Sequence, residues 1–374
     1  MVRFMSRVLV VICLIGMMVL IAQDGICSGQ LKRKVKVGFL PMATSTSIYA
    51  DYIGAYKDEG LDVELVKFQG GPAMVEAMLA GSIDAADNVG YIPMLYSVTR
   101  GLPLYCLACD AMESREYPYD MVMVHPDSGI KSFKELKGKT IAIHQRGTIE
   151  DAWLSALCKK YGMTKSDLKI TLVPTPQQEG VLWQKQVDAV VAVAPYSGLM
   201  VRNKHGKVLL SVCDVLNYTM VSTLVVSKKF ADEYPEATIK LAKANIKAGR
   251  WVDDNRKVAL EKVLSDKRYV GYDPAVASLV NLCYWPRNGL HMMPSLWNLY
   301  YLMVDTKMIA PWDNPEAKMK EYFIEPTLKY TIPALKELGI EKDPYINKIL
   351  REPLDYLANK PESYFAPWEK ELTR

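Results

Sequence analysis

Gly81-Ser-Ile-Asp-Ala-Ala86 returns about a hundred residues later as Lys185-Gln-Val-Asp-Ala-Val190. In both stretches an apolar helical pattern stops, and a short apolar run begins with an aspartate near its first residue. A junction of this kind is typical of the end of one β-α unit and the start of the next strand. Its repetition predicts two similar half-molecules in one chain.

The residues around each junction extend the repeat, because strand and helix patterns alternate in the same order on both occasions. The apolar runs that predict strands are 35–40, 61–68 and 83–86 in the first copy and 139–144, 168–173 and 187–193 in the second. Alternating β-α units favour mainly parallel sheets covered by helices. The sequence therefore predicts an α/β fold with two lobes, and one large doubly wound sheet is the alternative.

The segment after the second copy predicts how the chain returns. Residues 220–227 are strand-like, no further β-α repeat follows, and the pattern from Pro235 onward is mostly helical. A return to the first lobe would join the lobes by two strands, which is a hinge. The predicted division is a signal peptide at 1–29, a first lobe at 30–115, a second lobe at 116–216, a return to the first lobe at 217–340, and a C-terminal extension at 341–374.

The N-terminus predicts export. Arg3 and Arg7 precede an unbroken apolar run at 8–22, and small residues follow at Ser28 and Gly29. This order is typical of a cleaved secretory signal peptide and indicates a periplasmic protein. An uncleaved anchor helix, which would associate the protein with the membrane, is the alternative, and lipid attachment at Cys27 stays open.

Composition excludes several classes of protein. The chain has 374 residues, of which 50% are hydrophobic and 24% charged, and its formal net charge is +4. This balance is that of a globular protein. So weak a positive charge is not the basic footprint of a nucleic-acid-binding protein, and no apolar run is long enough for a multi-pass membrane protein.

Cysteines and histidines predict neither a disulfide scaffold nor a metal site. Cys106 and Cys109 form a C-x-x-C motif inside an apolar run that has the pattern of a strand. Residues three apart on a strand point to opposite faces, so we expect buried free thiols rather than a redox pair. The histidines are far apart in sequence and lack metal-ligand spacing.

Ligand contacts are expected just beyond the carboxyl ends of the strands, where open α/β sheets bind ligands. Two loops there lead into helices whose free N–H groups could hold an anion. The loop residues are Thr44, Ser45, Thr46 and Ser47 in the first lobe, and Gln145, Arg146, Gly147 and Thr148 in the second. Other strand ends add Gly70, Gly71, Asn88 and Tyr196, and less firmly Tyr91 and Trp183.

Structural roles remain open for the same residues. The hydroxyl groups could simply cap their helices. Arg146 could pair with Glu150, one helical turn further along the chain. The aromatic side chains could belong to the core or to the surface.

Catalytic signatures are absent from the sequence. It contains no G-x-S-x-G, no P-loop, no H-E-x-x-H, and no G-x-G-x-x-G after the first predicted strand. We therefore expect a binding protein rather than an enzyme, with no cofactor and no metal.

The sequence resembles the nitrate, sulfonate, taurine and thiamine-precursor group of substrate-binding proteins of ABC importers. The resemblance is carried in the first lobe by Val37-Gly-Phe-Leu-Pro41, Glu59-Gly-Leu-Asp-Val-Glu64, Gly70-Gly-Pro-Ala73 and Ala80-Gly-Ser-Ile-Asp84. In the second lobe it is carried by Asp127-Ser-Gly-Ile-Lys131, Leu136-Lys-Gly-Lys139, Val187-Asp-Ala189 and Pro195.

This resemblance implies a type II periplasmic-binding fold with two crossing hinge strands, which closes over one small molecule. It also implies delivery to a membrane permease driven by an ATPase, and ligand contacts at 45–47 and 145–148. We expect a monomer with no nucleic-acid partner. The sequence departs from the family at Ala194, where many relatives have a bulky or acidic residue, and this speaks against taurine.

The hydroxyl-rich loops and Arg146 favour an oxyanion, such as a sulfonate or a carboxylate, as the ligand. Neutral ligands use the same Ser, Thr and Gln side chains, so that alternative stays open. Binding or synthesis of a thiamine-pyrimidine precursor on the same scaffold, and ligand sensing for a membrane receptor, are the other two hypotheses.

Overall fold

Two five-stranded sheets organise the protein. The computed structural model describes residue 31, residues 33–114, 117–216 and 218–273, residue 276 and residues 283–340. The strands are β1 (Val35–Phe39), β2 (Val63–Lys67), β3 (Ala85–Gly90), β4 (Leu104–Ser114), β5 (Asp120–Val124), β6 (Thr140–Ile143), β7 (Lys169–Leu172), β8 (Ala189–Val193), β9 (Lys207–Ser211) and β10 (Tyr218–Ser227).

Helices cover both sheets. In the first two-thirds of the chain they are α1 (Thr46–Tyr52), α2 (Ala55–Asp58), α3 (Gly71–Leu79), α4 (Tyr91–Thr99), α5 (Ile149–Lys160), α6 (Thr175–Trp183), α7 (Tyr196–Arg202) and α8 (Cys213–Leu216). The return segment adds α9 (Lys228–Glu233), α10 (Pro235–Asp254), α11 (Arg256–Val258), α12 (Met293–Asp305), α13 (Pro315–Met319) and α14 (Ile332–Glu337). Short 3₁₀ turns lie at Phe133–Leu136 and Lys165–Asp167, and π-helical turns at Ala259–Val263, Lys320–Ile324 and Thr327–Thr331.

The two sheets repeat one arrangement. Their strand orders are β2-β1-β3-β10-β4 and β7-β6-β8-β5-β9, and in each sheet the fourth strand is antiparallel to the other four. Each sheet with its covering helices is one lobe. The sequence prediction of a two-lobed α/β fold is confirmed, and the alternative of one large sheet is wrong.

The repeated aspartates have equivalent roles. Asp84 Oδ2 accepts a hydrogen bond from Lys36 N at 2.9 Å, and Asp188 Oδ2 accepts one from Thr140 N at 2.8 Å. Each carboxylate thus fixes the start of its own strand against the neighbouring parallel strand. The junction at residues 81–86 recurs at residues 185–190 because both sheets use the same hydrogen bond from a backbone N–H to an aspartate.

Two crossings connect the lobes. β4 leads from the first sheet into β5 of the second, and the chain returns from β9 through α8 into β10. β4 and β10 pair with each other in antiparallel orientation along almost their whole length. Two adjacent crossing segments are the geometry of a hinge, as the sequence predicted. The predicted boundaries of the lobes stay a proposal, because residues 115, 116 and 217 are outside the described residues.

A continuous hydrophobic cluster joins the lobes beside the hinge. It contains Met74 and Leu95 from the first lobe, Trp153 and Leu157 from the second, and Trp297 from the return segment, all buried. α12 contacts α4, α5 and β10. Lys159 Nζ of α5 donates to Asp305 Oδ2 at the end of α12 over 2.6 Å, so this helix also ties the lobes together by an ion pair.

Some local predictions need correction or fall outside the structure. The apolar residues Tyr49, Tyr52, Ile53 and Tyr56 have the spacing of one continuous helix, but Gly54, with a φ of 75°, separates α1 from α2. Cys106 and Cys109 are buried free thiols, as expected. The predicted signal peptide and the C-terminal extension lie outside the described residues. In the segments that the structure describes, no helix has the length and apolar character needed to cross a bilayer.

Candidate ligand site between the lobes

A cavity of about 240 Å³ opens between the two lobes at the carboxyl ends of the parallel strands. Both lobes contribute to its wall. The lobes approach each other closely at this wall, since a Cβ atom added to Gly70 of the first lobe would lie 3.8 Å from Gln145 Oε1 of the second. The lining is mostly apolar, with a few polar groups, which is the usual character of a small-molecule site.

Seven of the twelve predicted contacts line this cavity: Thr44, Gly70, Gly71, Asn88, Gln145, Thr148 and Tyr196. The other five, Ser45, Thr46, Ser47, Arg146 and Gly147, are not among its lining residues. Parts of both predicted loops therefore lie at the same cavity, and the other residues of each loop are not in its wall.

A bulge in β3 presents Asn88 to the cavity. The register of β3 against β10 runs from Val89 opposite Thr223 to Ala86 opposite Val225, so β3 contains one extra residue there. Asn88 adopts a φ of 59°, a left-handed conformation that asparagine tolerates better than most residues. Its Nδ2 donates to Thr44 Oγ1 at 2.9 Å, which links two lining residues.

The start of α1 already holds a carboxylate. Asp87, which is fully buried, accepts hydrogen bonds at Oδ2 from Ser47 N at 3.0 Å and from Ser47 Oγ at 2.7 Å. Ser45 Oγ donates to Leu40 O, and Thr46 Oγ1 accepts from Trp285 Nε1. The hydroxyl groups of residues 45–47 thus have partners within the protein, because they serve the local structure of the helix start.

The second loop also contains its own carboxylate. Asp151 Oδ2 accepts from Gly147 N at 3.1 Å, and its Oδ1 accepts from Arg146 at 3.2 Å and from Lys165 at 3.0 Å. The expected alternative pair of Arg146 with Glu150 is wrong. Arg146 precedes the first residue of α5, so the one-turn spacing of a helix does not apply to it.

Tyrosine rings supply much of the apolar wall. Tyr119 comes from the first crossing, Tyr196 from the start of α7, and Tyr272 from the return segment. Burial raises the pKa of each of the three hydroxyls above its ordinary value. The rings are therefore neutral at physiological pH and add no negative charge to the cavity.

Tyr91 and Trp183, the two less firm candidates, lie elsewhere. Tyr91 is fully buried and its hydroxyl bonds with His291 Nδ1 at 2.7 Å in the core of the first lobe. Trp183 is on the surface of the second lobe, stacked against His205 at 4.3 Å between ring centres. The structural alternative holds for both.

Several lining residues were not among the predicted contacts. They are Leu40, Met42, Gln69, Tyr119, His144, Ile149, Glu150, Thr175, Val193, Val221 and Tyr272. Most are neighbours of predicted contacts, so widening each predicted loop by a few residues would have found them. Tyr272 and Tyr119 come from segments with no β-α pattern, and only the tertiary fold brings them to the cavity.

Metal binding finds no support in the parts of the chain that the structure describes. Within those residues, no group of three or more His, Cys, Asp or Glu side chains is arranged to hold a metal ion.

Comparisons with solved structures define the class of fold. The periplasmic nitrate-binding protein NrtA from Synechocystis superposes with a TM-score of 0.69 at 17% identity, covering 81% of this chain and 89% of NrtA. The periplasmic aliphatic sulphonate binding protein SsuA from Escherichia coli gives 0.62 at 19% identity, covering 75% of this chain and 94% of SsuA. At these identities the likeness establishes a periplasmic-binding fold.

The chain belongs to the NMT1-like family, whose model matches residues 28–264. A putative aliphatic sulfonates-binding protein from Bacillus subtilis is 27% identical over 199 residues, which are 53% of this chain and 58% of the relative. The nitrate import ATP-binding protein NrtC from Synechocystis is 22% identical over 259 residues, which are 65% of this chain and 39% of NrtC. The chain thus spans well under two-thirds of the length of each of these relatives.

Proposed function

We propose that this protein is the exported, periplasmic binding component of an ABC importer, which captures one small molecule between its lobes and delivers it to a permease and its ATPase. The observation that carries the proposal is the cavity lined from both lobes next to a two-segment hinge. A cavity placed there closes around its ligand when the lobes rotate about the crossings. The family and the named relatives support the same role.

The cavity favours binding over catalysis. Its polar groups are amides, hydroxyls, one imidazole and one carboxylate, and among the described lining residues no hydroxyl is hydrogen-bonded to His144 or Glu150 as a nucleophile is to its base. Synthesis of a pyrimidine precursor, the enzymatic hypothesis, requires that a bound molecule be changed. Simple capture requires that it be released unaltered.

The oxyanion interpretation of the ligand stays a prediction, with less support from the predicted loops. It depended on free helix starts at 44–47 and 145–148 and on the charge of Arg146. Asp87 accepts from Ser47 N, Asp151 accepts from Gly147 N, and Arg146 pairs with Asp151 off the cavity wall. The Ser and Thr hydroxyls that line the cavity suit neutral ligands equally well.

Ligand capture tests the proposed function. The exported full chain, incubated with a small-molecule extract and examined by native mass spectrometry, is expected to retain one small molecule per chain. At a ligand concentration of a hundred times Kd, binding to the folded state adds about 2.7 kcal/mol to the free energy of unfolding. A thermal-shift measurement with the same extract checks this.

The outcomes separate the hypotheses. A retained molecule that is recovered with unchanged mass supports capture, whereas conversion to another compound supports the enzymatic hypothesis. Absence of any retained molecule, together with an unchanged melting temperature, contradicts the proposed function. A loaded protein that stimulates a receptor but no importer ATPase supports the sensor hypothesis.

A further inference from the structure

Glu150 is a carboxylate on the cavity wall, and none of the residues that the structure describes pairs with its side chain. It lies in the first turn of α5 and is only 7% exposed. In the described part of the chain, no hydrogen bond or ion pair holds its side chain, while the nearby Arg146 and Lys165 both bind Asp151 instead. An acidic residue in the first turn of a helix usually faces water, where its negative charge interacts favourably with the positive end of the helix dipole. Neither carboxylate oxygen of Glu150 is among the fully buried unpartnered atoms of the described residues, so its charge is open to the cavity and can take a partner from outside the chain.

We propose that the ligand is a small organic cation, an ammonium or amidinium group on an apolar or aromatic body, whose charge is bound by Glu150. This assignment rests on the proposed function, since it names the class of ligand that the same cavity would take. It concerns the charge of the ligand, and the capture of a ligand between the lobes does not depend on it.

The rest of the wall has the charge that such a ligand needs. Among the described residues that line the cavity, Glu150 is the only one of the Asp, Glu, Lys or Arg type. No Lys or Arg is among the described lining residues, so the carboxylate of Glu150 gives this end of the cavity a negative potential, which a cation relieves and an anion increases.

The apolar part of the cavity suits the body of the same ligand. The neutral rings of Tyr119, Tyr196 and Tyr272 line it, and aromatic faces attract organic cations as well as apolar groups. Thr44, Asn88 and Gln145 provide hydrogen-bonding groups that can fix the orientation. A carboxylate with aromatic rings around it is a complementary environment for a cation, and it contains no basic side chain for a sulfonate.

Matched probes test the charge of the ligand. The probes are three carbon skeletons, benzyl, cyclohexyl and n-propyl, each as the ammonium, the alcohol and the sulfonate, titrated into the full chain by calorimetry. The ammonium of at least one skeleton is expected to bind, and its sulfonate to bind at least about 30-fold more weakly.

Two variants locate the contact. Glu150→Gln keeps the size of the side chain and removes the charge, so affinity for the ammonium is expected to fall at least about 30-fold, with little change for the alcohol. Arg146→Gln is the matched control, since Arg146 does not line the cavity, and it is expected to leave ammonium binding unchanged.

The outcomes distinguish a failure of the cation assignment from a failure of the proposed function. Tighter binding of sulfonates than ammoniums, no binding of any ammonium, or equal ammonium affinity in Glu150→Gln and wild type overturns the cation assignment. The proposed function survives those results if the extract still yields a retained molecule. If neither the probes nor the extract yields one, the proposed function fails as well.

Discussion

Replacing Trp153 with alanine is expected to lower the free energy of unfolding by about 3–5 kcal/mol. Trp153 is fully buried in the hydrophobic cluster that joins the lobes, and its Nε1 donates to Asp120 Oδ2 at 2.9 Å. The truncation leaves a cavity and removes the hydrogen-bond donor of a buried carboxyl group. Urea denaturation of the wild type and the variant measures the loss.

A matched variant separates the two causes. Trp153→Phe retains most of the ring volume and removes the N–H group, so we expect a loss of about 1–3 kcal/mol, the cost of one unsatisfied buried group. A loss below about 1 kcal/mol for Trp153→Ala would mean that the cluster around Trp153 does not carry the stability of the two-lobed structure.

Asp120→Asn is expected to change how stability depends on pH. Asp120 and Glu113 form a buried carboxyl pair at the first crossing, where Glu113 Oε2 accepts from Asp120 N at 3.0 Å. Burial is the main cause that raises the pKa of both groups. An acid with a raised pKa binds more protons in the folded than in the unfolded state. Its contribution to stability is therefore complete below the unfolded pKa of about 4 and is lost as pH rises toward the folded pKa.

The asparagine amide retains the hydrogen-bonding geometry of the protonated acid and does not titrate. The stability of Asp120→Asn relative to wild type is therefore expected to increase between about pH 5 and about pH 8, by about 1.4 kcal/mol for each unit by which the pKa is raised. The difference between the two proteins is the quantity to measure, because His291 acts in the opposite direction. Its pKa is lowered to about 4 by burial, and it is present in both proteins.

Urea denaturation at the two pH values gives this difference. Asp58→Asn is the control, since Asp58 is an exposed residue of α2. An equal difference from wild type at both pH values would show that Asp120 does not hold an additional proton in the folded protein.

The fold was largely predictable because its signal is local and repeated. Asp84 and Asp188 stand at equivalent strand starts, and the period of the apolar residues changes from strand to helix in the same order in both lobes. Strand identity and lobe number follow from such short-range patterns. Element ends were less well predicted, since a single glycine such as Gly54 divides a helix whose apolar spacing continues.

The site was only partly predictable, because its charges are balanced by one residue distant in sequence and by one near neighbour that helix spacing does not indicate. Asp87 occupies the start of α1 from a strand forty residues further along the chain, which no loop motif reveals. Arg146 reads as a free positive charge in the sequence, whereas in the structure Asp151 pairs with it. Tyr272 reaches the cavity from a segment without regular pattern. The charge of the ligand therefore stays a prediction, whereas parts of both predicted loops do meet at one cavity.

If the ligand lies in the cavity between the lobes, a variant whose side chain fills that cavity is expected to lose affinity for it. Thr175 lines the cavity at the start of α6, so Thr175→Trp places an indole ring in the ligand space. Leu172→Trp adds the same ring at an exposed position of the same lobe that does not line the cavity. The measurement is calorimetric titration of both variants with the molecule retained from the extract.

Thr175→Trp is expected to weaken binding at least tenfold, about 1.4 kcal/mol, while Leu172→Trp binds as the wild type does. Wild-type affinity in a folded Thr175→Trp would contradict a ligand site between the lobes and place the ligand outside this cavity.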